Sequence, residues 1–372
     1  MKPYAPGQPA DPESFAGRTK LIETVHGVLD EAIQLRRSSA LLVQGYRGSG
    51  KTSAIRKIEA LTRDAVPGSL VAEVQLRSRS SEEHLLLSIV RDIHQQLETR
   101  QTLGSQVKDW MGRVSGLSMA GTGITFGPKT NLGATGGLTL WKSCVTALEK
   151  EPLLLVCIDD AELLDATGLG VLKTIAESHP PVPVILVVAG VRELWEALVK
   201  EASPIARIFS GAIFDVGEFT LDETKGALEA PVTKINGSGR WTEDGVREVQ
   251  KLSHGYPYLV QCFAAAAYTE GISITAHRVE ESLSSALDIG RGWLERECRN
   301  LSDEDIRAFA KLAASGKAVF KSGEINALGV QNVYVSRLKR MKVLTKVSRG
   351  IYELRKAPAI AYYHALRRGI TW

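Results

Sequence analysis

Along this chain three short runs are apolar at almost every position: Ala40-Leu-Leu-Val43 ahead of Gln44, Leu153-Leu-Leu-Val-Cys-Ile158, and Val184-Ile-Leu-Val-Val-Ala189. Continuous rather than alternating apolar runs predict strands buried on both faces, as in a parallel sheet covered by helices. Residues 69–76 and 211–216 are the remaining strand candidates, and stretches of helical periodicity separate them, such as Ile55, Ile58 and Leu61 after the first run. Strands alternating with helices predict an α/β core built on a parallel sheet.

The pattern changes beyond Leu301. Ser302-Asp-Glu-Asp305 is a helix start, with Ser302 as the cap and acidic residues at the positive dipole end; Phe309, Leu312 and Ala313 form its apolar face. Residues 321–328 predict a second short helix ended by Gly329. In a third, residues 331–341, Tyr334, Leu338 and Met341 share one face, while Asn332, Ser336, Lys339 and Arg340 fall largely on the other. Two alternating strands follow, residues 343–347 and 351–354, joined by Ser348-Arg349-Gly350. The order is helix, helix, helix, hairpin.

Length and composition set bounds around these elements. A chain of 372 residues predicts two or three domains, and 44% hydrophobic with 24% charged residues is a soluble globular composition. The first twelve residues hold four prolines and no apolar stretch, unlike a signal peptide or membrane anchor. No run reaches the roughly 20 apolar residues of a membrane span. Cys144, Cys157, Cys262 and Cys298 form no CxxC pair, which argues against a disulfide framework or a zinc site and for a cytosolic location. His84 and His94 lie about 15 Å apart along one helical stretch, too far to share a metal, and no Gly-x-Ser-x-Gly elbow occurs. Charge is distributed unevenly. Residues 302–372 hold 14 Lys or Arg against 5 Asp or Glu, a surplus of nine, which leaves residues 1–301 at −5 in a chain of net +4. That asymmetry predicts a basic module for a polyanion joined to a nearly neutral body.

Chemistry enters directly after the first apolar run. Gly45-Tyr-Arg-Gly-Ser-Gly-Lys51-Thr52 fits the Walker A pattern, and Gly45, Arg47, Gly48, Ser49, Gly50, Lys51, Thr52 and Ser53 are the candidate nucleotide-binding residues. The glycines let the backbone turn its N–H groups onto phosphate oxygens, and the helix starting near Lys51 adds its dipole. Lys51 would reach the β and γ phosphates of ATP, and Thr52 would ligate Mg²⁺. Asp159, at the end of the second apolar run, would hold the same metal. Asp160 would orient the attacking water, with Glu162 as a substitute. The alternative is that Asp160 and Glu162 simply favour the N-terminal end of the next helix.

Three further stretches carry a family resemblance. Phe15-Ala-Gly-Arg18 resembles the FxGR box that opens AAA+ initiator-type and STAND ATPases; Gly255-Tyr-Pro257 resembles the GxP motif of the STAND helical lid; and Ala206-Arg207-Ile-Phe209 resembles the segment bearing an arginine finger in AAA+ proteins. Across residues 14–290 the ordered boxes resemble an ATPase related to the origin-recognition initiators and to STAND switches. The resemblance implies Arg18 near the adenine, Pro257 packed on the base, and Arg207 acting on a neighbour's nucleotide, hence a homo-oligomer. Taken singly, Arg18 could pair on the surface, the Gly-Tyr-Pro turn could end a helix, and Arg207 could be an ordinary exposed charge. The implied layout is an N-terminal tail (1–13), a P-loop AAA+ core (14–218), an α-helical lid (219–300) and a C-terminal winged helix-turn-helix domain (301–372). Departures from the family pattern are Asp160 in place of Glu, Ala189-Gly190 where a polar sensor residue ends the fourth strand, with Arg192 just beyond, and GxP where initiators place a lid arginine. They imply slow hydrolysis, with the nucleotide state mattering more than turnover.

The tail resembles the winged helix that initiator ATPases carry after the lid. In that geometry the third helix enters the major groove of double-stranded DNA and Arg349 sits at the wing tip. Asn332, Ser336, Arg337, Lys339, Arg340, Lys346 and Arg349 are the candidate DNA contacts. Winged helices also dock proteins, so a signalling switch with a protein effector is the rival reading. Residues 104–137, rich in Gly, Ser and Thr with alternating apolar positions, predict a hairpin projecting from the core; it is either a subunit or partner contact or a mobile loop.

Overall fold

The computed structural model describes residues 3–100, 136–177, 181–201, 206–209, 212–297 and 300–371. The glycine-rich stretch expected to form a hairpin lies outside them, apart from Gly136 and Gly137, which open the helix Gly136–Ala147. The chain forms two compact units, one of residues 18–216 and one joining residues 1–17 to residues 217–372.

The first unit is built on β1 (Ser39–Gln44), β2 (Leu70–Gln75), β3 (Leu154–Asp159), β4 (Val184–Gly190) and β5 (Ile213–Asp215), ordered β2-β3-β4-β1-β5 and parallel at every pairing. This is the P-loop AAA+ type of α/β fold. β3 and β4 are buried along their whole length, which is why their sequences show no alternation. At the open edge of β2, Asp92 Oδ2 accepts the Glu73 N–H at 2.9 Å and Gln96 Oε1 accepts the Val71 N–H at 3.2 Å. Side chains from the helix Glu82–Glu98 thus occupy the positions of a missing strand and blunt that edge. The order places β1 between β4 and β5, so the turn leaving β1 has the ends of both beside it.

The second unit has one hydrophobic core, running from Tyr4 through Phe263 and Phe309 to Ile370. The N-terminal stretch is part of it: Tyr4 is 5% exposed, accepts the Trp241 Nε1–H at 2.7 Å, and packs edge-on against Trp241 and Tyr268. Helix starts here are capped as their sequences dictate. Thr220 and Glu223 form a reciprocal capping box on Leu221–Lys234, and Ser302 and Asp305 form another on Asp303–Ala314. β6 (Arg240–Trp241) and β7 (Ser273–Ile274) pair briefly, and β8 (Val319–Lys321), β9 (Leu344–Ser348) and β10 (Ile351–Leu354) form a sheet ordered β8-β10-β9. β9 and β10 are the expected hairpin. The third strand was not legible, because Val319-Phe-Lys321 is only three residues long and adjoins the helix Ser322–Ala327. The helix Pro358–Arg367 was also not anticipated; it is buried from Pro358 to His364 and on to Ala365, an apolar all-round helix rather than an amphipathic one. No helix of the described residues is long and apolar enough to cross a membrane.

Candidate functional site

The turn that leaves β1 is shaped by glycine where nothing else fits. Gly48 and Gly50 have φ of 78° and 95°, the left-handed region that costs an L side chain strain. At Gly45 a Cβ would lie 2.3 Å from the Val216 carbonyl and 2.6 Å from Ser49 Oγ. The helix Lys51–Ala65 then starts with its N-terminus at the loop. Lys51 Nζ donates to the Gly45 and Tyr46 carbonyls at 3.2 and 3.1 Å, and the residue is 7% exposed. Burial lowers its pKa; Glu162, Asp159 and Asp160 pull the other way, through their negative charge. The Ser49 hydroxyl is 3% exposed and has no partner among the described residues. A buried ammonium beside a buried, unsatisfied hydroxyl at a helix N-terminus suits an anionic ligand.

Asp159 and the loop meet through one bond: Thr52 Oγ1 donates to Asp159 Oδ2 at 2.6 Å. The other carboxylate oxygen accepts the Asp160 N–H at 2.9 Å. Thr52 and Asp159 thus offer hard oxygen donors side by side, the set that Mg²⁺ takes. Asp160 stands at φ 54°, and its pKa is raised by burial first and by Asp159 second, against Lys51, Arg47 and a hydrogen bond with Gln75. Glu162 is engaged elsewhere, because its Oε2 accepts the Val191 N–H at 3.2 Å beyond β4. Both carboxylates act on the Lys51 ammonium, and Asp160 is the one of the two without a bond to the end of β4. Gln75 was missed; its signal was only a polar residue at the end of a strand paired with Asp159.

The end of β4 carries no polar side chain, and Arg192 lies two residues further on. Its guanidinium reaches Asp215 at the end of β5, with Nε and Nη2 donating to Oδ1 at 3.1 and 2.9 Å, and its Nη1 donates to the Tyr46 hydroxyl at 2.9 Å. Arg18 sits at φ 58° just ahead of the helix Thr19–Leu35, and Arg207 is exposed in the short turn Arg207–Phe209. Ser53 lies in the first turn after the lysine, and Arg47 is exposed on the loop. In the other unit, Pro257 is the first residue of the helix Pro257–Ala267 and is buried. Gly255 before it has φ 71°, and its carbonyl accepts the Phe219 N–H at 2.7 Å.

In the basic tail the helix Asn332–Arg340 buries Val335 and Leu338 and exposes Asn332, Ser336 and Arg340. Lys346 and Arg349 are exposed on the hairpin, with Gly350 at φ 73° in its turn. Lys339 is half-buried, with its ammonium 5.9 Å from the centre of the Tyr352 ring. Arg337, whose side chain is 42% exposed, donates from Nε and Nη2 to Asp305, at 2.8 and 2.7 Å. Asp305 is 1% exposed, and a carboxylate that deeply buried is stabilised by a cation, which Arg337 supplies from a partly exposed position.

A glycine-shaped turn between strand and helix, a lysine at its end, and a threonine bonded to an aspartate on a neighbouring strand define a P-loop domain. Residues 14–188 match the family model described as AAA ATPase domain, and the chain carries that domain. Among solved structures the chain is similar to the Aeropyrum pernix ORC2 protein in ADPNP–ADP complexes, at 15% identity over 95% of this chain and 94% of that one with a TM-score of 0.54. It is similar also to Cdc6p from Pyrobaculum aerophilum (12% identity, 98% and 96% covered, TM-score 0.53). A Walker-type ATPase of Pyrococcus abyssi matches likewise (17% identity, 96% and 98% covered, TM-score 0.53). At such identities the likeness is one of fold. No protein of curated function matches the chain.

Proposed function

We propose that this protein binds and slowly hydrolyses ATP, and that its nucleotide state governs its assembly on double-stranded DNA. The observation that supports the reading is the Thr52–Asp159 bond, which joins the residue that would bind Mg²⁺ beside the loop to the carboxylate that would share that metal. The backbone of residues 45–50, Lys51, Ser49 and Ser53 would bind the triphosphate, with Arg47 at the rim. Thr52 and Asp159 would hold Mg²⁺, which when bound supplies positive charge to the phosphate oxygens. Asp160 would orient the attacking water and take its proton; a shorter acid than the usual Glu supports slow turnover. Arg18 and Pro257 would contact the base, and Arg207, exposed on its turn, would serve the nucleotide of a second copy in a homo-oligomer. The ADPNP–ADP complexes of the A. pernix ORC2 protein support a nucleotide role for this fold.

Residues 219–300 would act as the lid and residues 301–372 as a winged helix. The exposed row Asn332, Ser336 and Arg340, with Lys346 and Arg349 on the hairpin, supports a DNA-facing surface, Lys339 adding charge behind it. A second reading rests on Val319, Val333 and Val347, which are 53%, 55% and 58% exposed on the same module. Apolar side chains there would equally suit a protein effector.

Fluorescence anisotropy of labelled duplex DNA, with ATP, ADP or no nucleotide at two salt concentrations, separates these. ATP-enhanced, salt-sensitive binding that is lost in Lys51→Ala and in Lys339→Glu/Arg340→Glu supports the first reading. No DNA binding in any nucleotide state sinks it and leaves the effector reading.

A further inference from the structure

Backbone groups along β2 point by turns to β3 and to the open edge. The Leu70 N–H donates to the Leu153 carbonyl at 2.9 Å, and the Leu76 N–H to the Asp159 carbonyl at 3.2 Å. Even-numbered residues therefore serve the sheet, while Val71, Glu73 and Gln75 turn their N–H and C=O groups outward. The helix Glu82–Glu98 runs back along that edge, and four of its residues advance about 6 Å, close to the ~6.6 Å of two strand residues. Its side chains thus meet the edge in register. Gln96 bonds both the Val71 N–H and the Val71 carbonyl, and Asp92 takes the Glu73 N–H. The next in the series, by the same spacing, is Ser88 at Gln75. Its hydroxyl is short and donates instead to the His84 carbonyl of its own helix at 2.8 Å, so the caps stop there.

A cavity of about 330 Å³ lies where they stop, between residues 73–80 and the helix residues 84–95. Gln75, Arg77 and Arg91 are exposed and line it. Neither guanidinium has an ion pair or hydrogen bond among the described residues. Ser80 lines the same cavity, 2% exposed and with a hydroxyl that has no partner among the described residues. Of the two acids that line it, Asp92 is spent on the Glu73 N–H, and Glu73 precedes the uncapped stretch.

We propose that the uncapped end of β2 docks an extended segment of a partner protein bearing an acidic side chain. The segment adds as a strand, exchanging N–H and C=O bonds with Gln75, and its acid pairs with Arg77 and Arg91. An open strand edge takes a further strand unless something blunts it, and here the blunting ends partway. Two guanidiniums without partners beside that edge select a carboxylate, which they bind with charge-assisted bonds. A nucleic acid would satisfy the arginines through its phosphates but has no alternating N–H and C=O groups to offer Gln75.

Docking at this edge needs no nucleotide, so the test uses the full chain without one. Anisotropy follows a labelled heptapeptide of alternating valine and glutamate with blocked ends, beside its valine–lysine counterpart. The glutamate peptide is expected to bind saturably and the lysine peptide not to bind. Methylating the peptide's backbone nitrogens should weaken it about tenfold or more, the scale of two backbone hydrogen bonds. Ser88→Gln, which supplies the missing cap, should weaken it to a similar extent, and Arg77→Glu/Arg91→Glu should transfer the preference to the lysine peptide. Thermal melts of each variant establish that it is folded. No saturable binding to the wild type, or binding that ignores both N-methylation and Ser88→Gln, overturns the proposal. Duplex DNA held by the wild type and lost in Arg77→Glu/Arg91→Glu, with no peptide bound, gives the arginines to nucleic acid and overturns it too. A wild-type oligomer that Ser88→Gln dissociates in sedimentation seats a second copy on the edge and overturns the partner segment.

Discussion

Arg337 closes on the buried Asp305 with two nitrogens, and the same carboxylate takes the Ser302 N–H at 3.0 Å and the Ser302 hydroxyl at 2.7 Å. One side chain thus ties the helix Asn332–Arg340 to the cap of Asp303–Ala314. Arg337→Ala is expected to lower the melting temperature by roughly 2–4 °C, the scale of one such interaction in a unit of this size, whereas Arg340→Ala, exposed on the same helix, leaves it unchanged. Burial alone would raise the Asp305 pKa, but the bonds from Arg337 and Ser302 outweigh it and hold the carboxyl below its usual range. A depressed carboxyl stabilises the fold above its unfolded pKa, about 3.9, and that contribution is lost as pH falls through the folded value. The stability difference between wild type and Asp305→Asn should therefore shrink in acid, as a series of melts against pH would read.

Asp160 and Glu162 are two residues apart and should respond differently. Asp160→Asn is expected to reduce ATP turnover by about 10²-fold, the usual contribution of a positioned acid–base group. Glu162 is spent on the Val191 N–H, so Glu162→Gln keeps an acceptor there and should cost much less. Because burial and Asp159 raise the Asp160 pKa, turnover should fall off in acid at a higher pH than for an ordinary Asp. A pH–rate profile under saturating ATP checks this, and equal losses in both variants would refute the assignment.

Gly45 and Gly170 form a matched pair of opposite expectation. A Cβ at Gly45 meets the Val216 backbone at 2.3 Å, which cannot move aside, so Gly45→Ala should destabilise the loop and weaken nucleotide binding. Gly170, within the helix Ala166–Glu177, has nothing within 4 Å of a Cβ and no positive φ. Gly170→Ala should stabilise by about 0.5–1 kcal/mol, since alanine loses less backbone freedom on entering a helix. Denaturant unfolding of the two variants distinguishes them by sign.

Local pattern carried much of this protein. The five strands, the glycine loop with Lys51 at its helix start, the acid at the end of β3 and the Ser302 cap were legible because each depends on residues within one or two turns or on the burial of one segment. The tertiary structure decided the rest, because burial and pairing between distant segments cannot be read from either segment alone. It bound Glu162 to the end of β4 and Asp160 to no such partner, paired Arg337 with a buried acid 32 residues earlier in the chain, and placed Tyr4 in a core formed mainly by residues beyond 217. It also brought Arg192, Tyr46 and Asp215 together from three strand ends that are consecutive in the sheet and far apart in the chain. Periodicity records which face of an element is buried; only the strand order and the packing record against what.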